Sequence, residues 1–112
     1  MLFLVELDRV NPGGTPTPEG GRTFIEQVIF PTLARAEQLM AEGKILSGGA
    51  VAGRVSLRFI VDARSSEEVD RLVTSLPVWT VAETRVTPLI AVGQRREHVQ
   101  SLLEGFAAHS TR

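Results

Sequence analysis

Two carboxylates and two guanidiniums stand at strand spacing in this chain: Glu83 and Arg85 in "ETRV", Glu6 in "LFLVEL" and Arg58 in "SLRFIV". Side chains two apart on a strand share a face, so Glu83 and Arg85 point the same way. Strand phasing puts Glu6 and Arg58 on that face as well, together with Leu2, Leu4, Ser56 and Ile60. A carboxylate set among guanidiniums stays ionised, a poor acid but a weak base, while the guanidiniums suit the carboxylate of a small substrate. The candidate catalytic residues are therefore Glu6 and Glu83, and the candidate substrate anchors Arg58 and Arg85. The same charges also read as a balanced network closing a subunit contact. Loss of one partner from such a network costs about 3–5 kcal/mol when the network is fully buried.

Three further residues are candidates for substrate contact. Trp79 follows Pro77 at the exit of a helix-like segment, where its indole can floor a pocket or cap the core. Phe30 lies off the main stripe of its helix beside Pro31, in reach of a cavity or of a partner. Ser47 adjoins the Gly48–Gly49 pair. His98 and His109, the only histidines, fall on the exposed-looking side of the last helix and in the tail, away from this set. The histidines lack metal-ligand spacing and the carboxylates do not cluster in sequence, so no metal is expected. The Gly-Gly pairs at 13–14, 20–21 and 48–49 fall short of any phosphate-binding motif, and no cofactor is called for.

Composition narrows the classes. The 112 residues suit one domain with a real core, and 43% hydrophobic with 22% charged residues is ordinary for a globule. Twelve basic against thirteen acidic residues leave a net charge of −1, which argues against nucleic-acid or anionic-membrane partners. Without Cys there are no disulfides, thiolate nucleophiles or Cys-type zinc sites, in keeping with a cytoplasmic location. "MLFLVEL" is too short to span a membrane and meets Glu6, so it reads as a strand.

The elements that must position the candidates follow from periodicity. After the strand 2–7, residues 8–22 carry four Gly and three Pro and read as a flexible loop, either a lid or disordered. Arg22 and Glu26 lie where it meets the next helix. Thr23 to Glu42 has helical spacing through Ile25, Val28, Ile29, Leu33, Ala36, Leu39 and Met40, with Gly43 as a stop. Pro31 should kink or split it at Phe30. Residues 44–53 and 54–63 form a hairpin with Gly53 in the turn, and Gly48-Gly49 signals a bulge or a close backbone approach. Ser65 and Glu68 have capping-box spacing ahead of a helix through Val69, Leu72, Val73 and Leu76. A strand at 80–89 and an amphipathic helix at 93–106 complete the chain, with Arg95 and Arg96 placed to pair with a neighbouring subunit.

The order β-α-β-β-α-β plus a C-terminal helix is the ferredoxin-like pattern, an α+β fold with an antiparallel sheet and both crossover helices on one face. Residues 1–92 make the domain. Residues 93–112 make a helix and tail that pack on the same domain or on a partner subunit. The bare face must be covered, and a second copy covers it most simply, giving a homodimer joined sheet to sheet as a dimeric α/β barrel.

Several stretches carry a family resemblance: "MLFLV", "AEGK" at 41–44, "VAG" at 51–53, "VD" at 61–62, and "SLPVW" followed by "ETRVTPL". In these the chain resembles the muconolactone delta-isomerases, without gaps from about Ala41 to Leu89 and over the first strand. The resemblance implies a small cytoplasmic protein of aromatic-acid catabolism, assembled as dimers within larger rings, that shifts a proton within an unsaturated lactone without a cofactor. Where those isomerases tend to carry a His and a Lys in the first strand, this chain has Leu4 and Glu6. Where their first hairpin strand is rich in Trp, Arg and His, this chain has "ILSGGA". The expectation is an isomerase-like protein acting on a small anionic lactone or related metabolite. The alternatives are a non-catalytic oligomeric binding or structural protein of the same fold and a cofactor-free monooxygenase, which the absence of Tyr disfavours.

Overall fold

The computed structural model describes residues 1–10 and 17–110. Its elements are β1 (Leu2–Arg9), α1 (Pro18–Phe24), a π-helical turn (Ile25–Ile29), α2 (Phe30–Ala41), β2 (Ile45–Ala50), β3 (Ser56–Asp62), α3 (Ser66–Thr74), a 3-10 turn (Pro77–Val81), β4 (Ala82–Leu89) and α4 (Val92–Ser110). The four strands form one antiparallel sheet in the order β2-β3-β1-β4. This is the ferredoxin-like α+β arrangement with an added C-terminal helix.

Period-two alternation fills one layer. Phe3, Val5 and Leu7 are essentially inaccessible, and they stand opposite Val61, Phe59 and Leu57 of β3. Against them pack Leu39 and Ala36 of α2, Val69, Leu72 and Val73 of α3, and Leu76 and Val78 beyond it. Truncating a buried Leu such as Leu39 to Ala would cost about 2–5 kcal/mol. The buried stripe of the π-turn and α2 is narrower than its hydrophobic pattern: Ile25, Leu33 and Met40 are exposed, while Thr32 is buried. The Thr32 hydroxyl accepts a hydrogen bond from the Val78 N–H at 3.0 Å, which ties α2 to the 3-10 turn.

Local chemistry explains where the elements depart from their expected limits. Asp8 and Arg9 stay in β1, and Pro18 to Arg22 are helical, so the Gly/Pro segment 8–22 is less irregular than its composition suggests; residues 11–16 lie outside the described residues. Thr17 caps α1 by accepting from the Gly20 N–H at 3.0 Å, with Pro18 in the first turn. Pro31 does not break the long helix. The Phe30 N–H instead reaches back five residues to the Ile25 carbonyl, a π-turn that accommodates the proline. Pro77 likewise starts a 3-10 turn, so β4 begins at Ala82 rather than at residue 80. Ser65 caps α3 by accepting from the Glu68 N–H at 3.2 Å, but the Glu68 carboxylate accepts from the Arg64 N–H rather than closing the box.

The register of β2 shifts between Ile45 and Ser47, and Gly48 sits at φ +125°. A Cβ there would collide with the Arg58 carbonyl oxygen, so glycine is required on both backbone and steric grounds. Gly48→Ala should therefore lower unfolding stability by about 1–3 kcal/mol in urea titration, whereas Gly49→Ala, which meets open space, should cost far less.

Candidate functional site

The side chains of β1, β3 and β4 that alternate with Phe3, Val5 and Leu7 and their cross-strand partners point to the uncovered face of the sheet, where pairing arranges them in rows. One row runs Gly49–Arg58–Glu6–Arg85 and the next Ser56–Asp8–Glu83. Below them lie Ser47–Ile60–Leu4–Thr87 and then Asp62–Leu2–Leu89. The face thus has an ionic half toward the hairpin end and a mostly apolar half toward the chain start.

In the ionic half Arg58 forks onto Asp8, with Nη1 and Nη2 donating to the two carboxylate oxygens at 3.0 and 3.3 Å. Nη1 also donates to the Leu57 carbonyl at 2.9 Å. Arg54 reaches Asp8 from the hairpin turn at 3.7 Å. Glu6 lies between two guanidiniums, 3.9 Å from Arg58 Nε on one side and 3.9 Å from Arg85 Nη1 on the other. At that separation these are ion pairs without a hydrogen bond, worth at most about 1 kcal/mol each while wet. The Glu6 side chain is 24% exposed and that of Arg85 is 76% exposed, so the carboxylate sits at the bottom of the cluster and Arg85 on its rim. Hydrogen bonds from the Ser56 hydroxyl and from Arg58 hold the Asp8 carboxyl below its usual range; the charges of Arg58 and Arg54 add to this and burial opposes it.

The fold therefore brings Glu6, Arg58 and Arg85 together, with Glu83 two residues from Arg85 and directly across from Asp8. Ser47 lies on the same face one row lower, on the far edge strand. Trp79 and Phe30 are not part of this group. Phe30 opens α2 in the helix layer, and Trp79 lies in the 3-10 turn that packs against α2 and the π-turn. Asp8 and Arg54 are members that the sequence reading left aside. The signal for Asp8 was its two-residue spacing from Glu6, masked by assigning it to the Gly/Pro segment.

A separate cavity of about 160 Å³ opens between the helices and the hairpin end of the sheet. Leu7, Ile29, Leu33, Ala50, Val55 and Leu57 form most of its wall, with Arg54 as its one charged lining residue. That volume matches a single small ring. None of the seven candidates named from the sequence lines it. Among the described residues, no group of three His, Asp or Glu could hold a metal ion, and no helix is long and apolar enough to cross a membrane.

These features define a class: a ferredoxin-like α+β protein whose sheet keeps one face free and concentrates its ionised groups there. Residues 1–94 match the sequence model of the muconolactone delta-isomerases, and the chain belongs to that family. The solved structure of a muconolactone isomerase superposes with a TM-score of 0.65 at 21% identity, over 81% of this chain and 90% of that one. The 5-chloro-2-hydroxyhydroquinone dehydrochlorinase TftG from Burkholderia phenoliruptrix AC1100, in complex with 2,5-dihydroxybenzoquinone, superposes at 0.61 and 23% identity. That match covers 84% of this chain and 98% of the other. At such identities the two structures attest the shared fold. No curated protein sequence matches the chain.

The Asp8 environment sets a pH dependence. Its carboxyl titrates below the ordinary value of 3.8 in the folded state, so its contribution to stability is present above that value and is lost as pH falls through the folded value. Asp8→Asn should melt below the parent at neutral pH, and the difference should close as the pH is taken below about 4, read from melting temperatures across the pH range.

Proposed function

We propose that this protein is a cofactor-independent isomerase that shifts a proton within a small anionic lactone or a related metabolite of aromatic catabolism, working in the cytoplasm as a sheet-to-sheet homodimer. One observation carries the reading: in a chain of this family, Glu6 is a half-buried carboxylate flanked by two guanidiniums on the free face of the sheet.

The chemistry belongs on that face rather than in the cavity, whose lining holds no carboxylate or imidazole to move a proton. Arg58 is committed to Asp8, whereas Arg85 is exposed and engaged only at 3.9 Å, so Arg85 receives the substrate carboxylate. Glu6 takes the proton from the ring carbon, the electron pair delocalises towards the lactone carbonyl, and the proton returns to another carbon of the same conjugated system. Either Glu6 or Glu83 delivers it, so no oxidant or external reductant enters. Arg58, beside Glu6 and held by Asp8, contributes only its charge to the field in which negative charge develops on the ring. Ser47 adds a hydroxyl at the edge of the site. A second copy, seated on Leu2, Leu4, Ile60 and Leu89, excludes water from the ionic half and strengthens each of these interactions.

A second reading has its own observation in the fork between Arg58 and Asp8: charges that satisfy one another can serve as interface glue in a non-catalytic binding protein. Turnover separates the two. With muconolactone and related lactones as substrates, Glu6→Gln should lower kcat about 10²–10⁴-fold, and Arg85→Ala should act mainly on KM. Full activity in Glu6→Gln removes Glu6 as the base. Absence of turnover in the parent, together with thermal stabilisation by a metabolite, selects the binding reading.

A further inference from the structure

The chain does not end where the family match does. α4 runs from Val92 to Ser110, and all but its first residues lie beyond residue 94. Val92 to His109 are exposed without exception, and among the described elements none makes more than slight contact with the helix. The radius of gyration is 19.6 Å, against about 13 Å for a compact chain of this length, and the longest dimension is 73 Å. α4 therefore projects from the body as an arm.

Its surface carries an apolar stripe, interrupted at its N-terminal end by Arg95. Val92, Val99, Leu102, Leu103 and Phe106 fall within an arc of about 100° at the helical period, with Val92 86% and Phe106 70% exposed. Most helix stability in proteins comes from packing such a stripe, and Gly105 in the last turns weakens the intrinsic preference further. The stripe also continues a surface already described. Leu89, on the apolar half of the sheet face, is separated from α4 only by the exposed Ile90 and by Ala91.

Size fits a second copy as the occupant. Four strands about 4.8 Å apart and up to eight residues long give the sheet face a flat footprint of about 450 Å². The nineteen residues of α4, about 28 Å long and 10 Å across, add about 280 Å². Together these flat footprints come to the scale of the roughly 800 Å² of accessible surface that each partner of a standard specific interface buries, with α4 supplying a substantial share.

We propose that α4 is an exchange arm: in the pair of chains, each α4 lays its apolar stripe across the other copy and extends the sheet-to-sheet contact. The two-fold relation makes the exchange reciprocal, so both stripes are covered by one symmetric contact. The proposal rests on the sheet-to-sheet pairing put forward above, and its test separates the two. Amide hydrogen exchange of the full chain should show α4 protected at concentrations where the pair forms and unprotected on dilution. Leu102→Asp combined with Phe106→Asp should abolish that protection while β1 and β3 stay protected. Gln94→Asp combined with Ser101→Asp, which adds the same charge on the opposite side of the helix, should leave it in place. A dimer whose α4 amides exchange freely would overturn the arm and leave the sheet pairing standing. Protection of α4 that is independent of concentration in a monomer would show the helix folded back on its own body, and both ideas would fall.

Discussion

A four-stranded sheet with both crossover helices on one side has to find a use for the side chains on its other side. Alternation along β1 gives each core residue a neighbour on the free face, so Phe3, Val5 and Leu7 in the core imply Leu2, Leu4, Glu6 and Asp8 outside it. The same holds for β3, where Arg58 and Ile60 interleave with Leu57, Phe59 and Val61. This period-two obligation is the constraint on which the ionic cluster, the apolar rows of the free face and the proposed pairing of two copies depend.

The free face resolves the obligation by dividing. Its apolar rows gain by burial at about 25 cal/mol per Å², while ionised groups lose by burial unless paired. Grouping the charges toward the hairpin end lets them satisfy one another: Arg58 by two hydrogen bonds to Asp8, Glu6 by charge alone from both sides. The difference between those two carboxylates is chemically useful. Asp8 is saturated with donors and serves as a structural counter-ion. Glu6 has charge neighbours but no hydrogen bond from them, which leaves its oxygens open for the proton-transfer role proposed for it.

The β-α-β-β-α-β order of elements and the shared face of Glu6, Arg58 and Arg85 were legible because hydrophobic alternation and turn residues fix both phase and order. Asp8 was not, since the Gly and Pro residues that follow it moved the apparent strand end to residue 7. Thr17, Pro18 and Glu19 are a helix start by residue type, but Gly20 and Gly21 obscured it. The cavity was illegible because it arises from long-range packing, where the π-turn before Pro31 sets Ile29 over the hairpin end. Sequence periodicity showed that α4 carries a stripe in need of cover. It could not show that the body of the same chain leaves the stripe bare.

The central claim is that the apolar half of the free face is held against a second copy. Sedimentation velocity on the parent chain and on Ile60→Lys tests it most directly, because Ile60 lies in the apolar rows and outside both the core and the ionic cluster. The account predicts a parent species at twice the chain mass of 12.2 kDa or a higher multiple, and a folded Ile60→Lys protein shifted towards 12.2 kDa. A parent that sediments as a 12.2 kDa monomer, or an Ile60→Lys variant that assembles as the parent does, would contradict it.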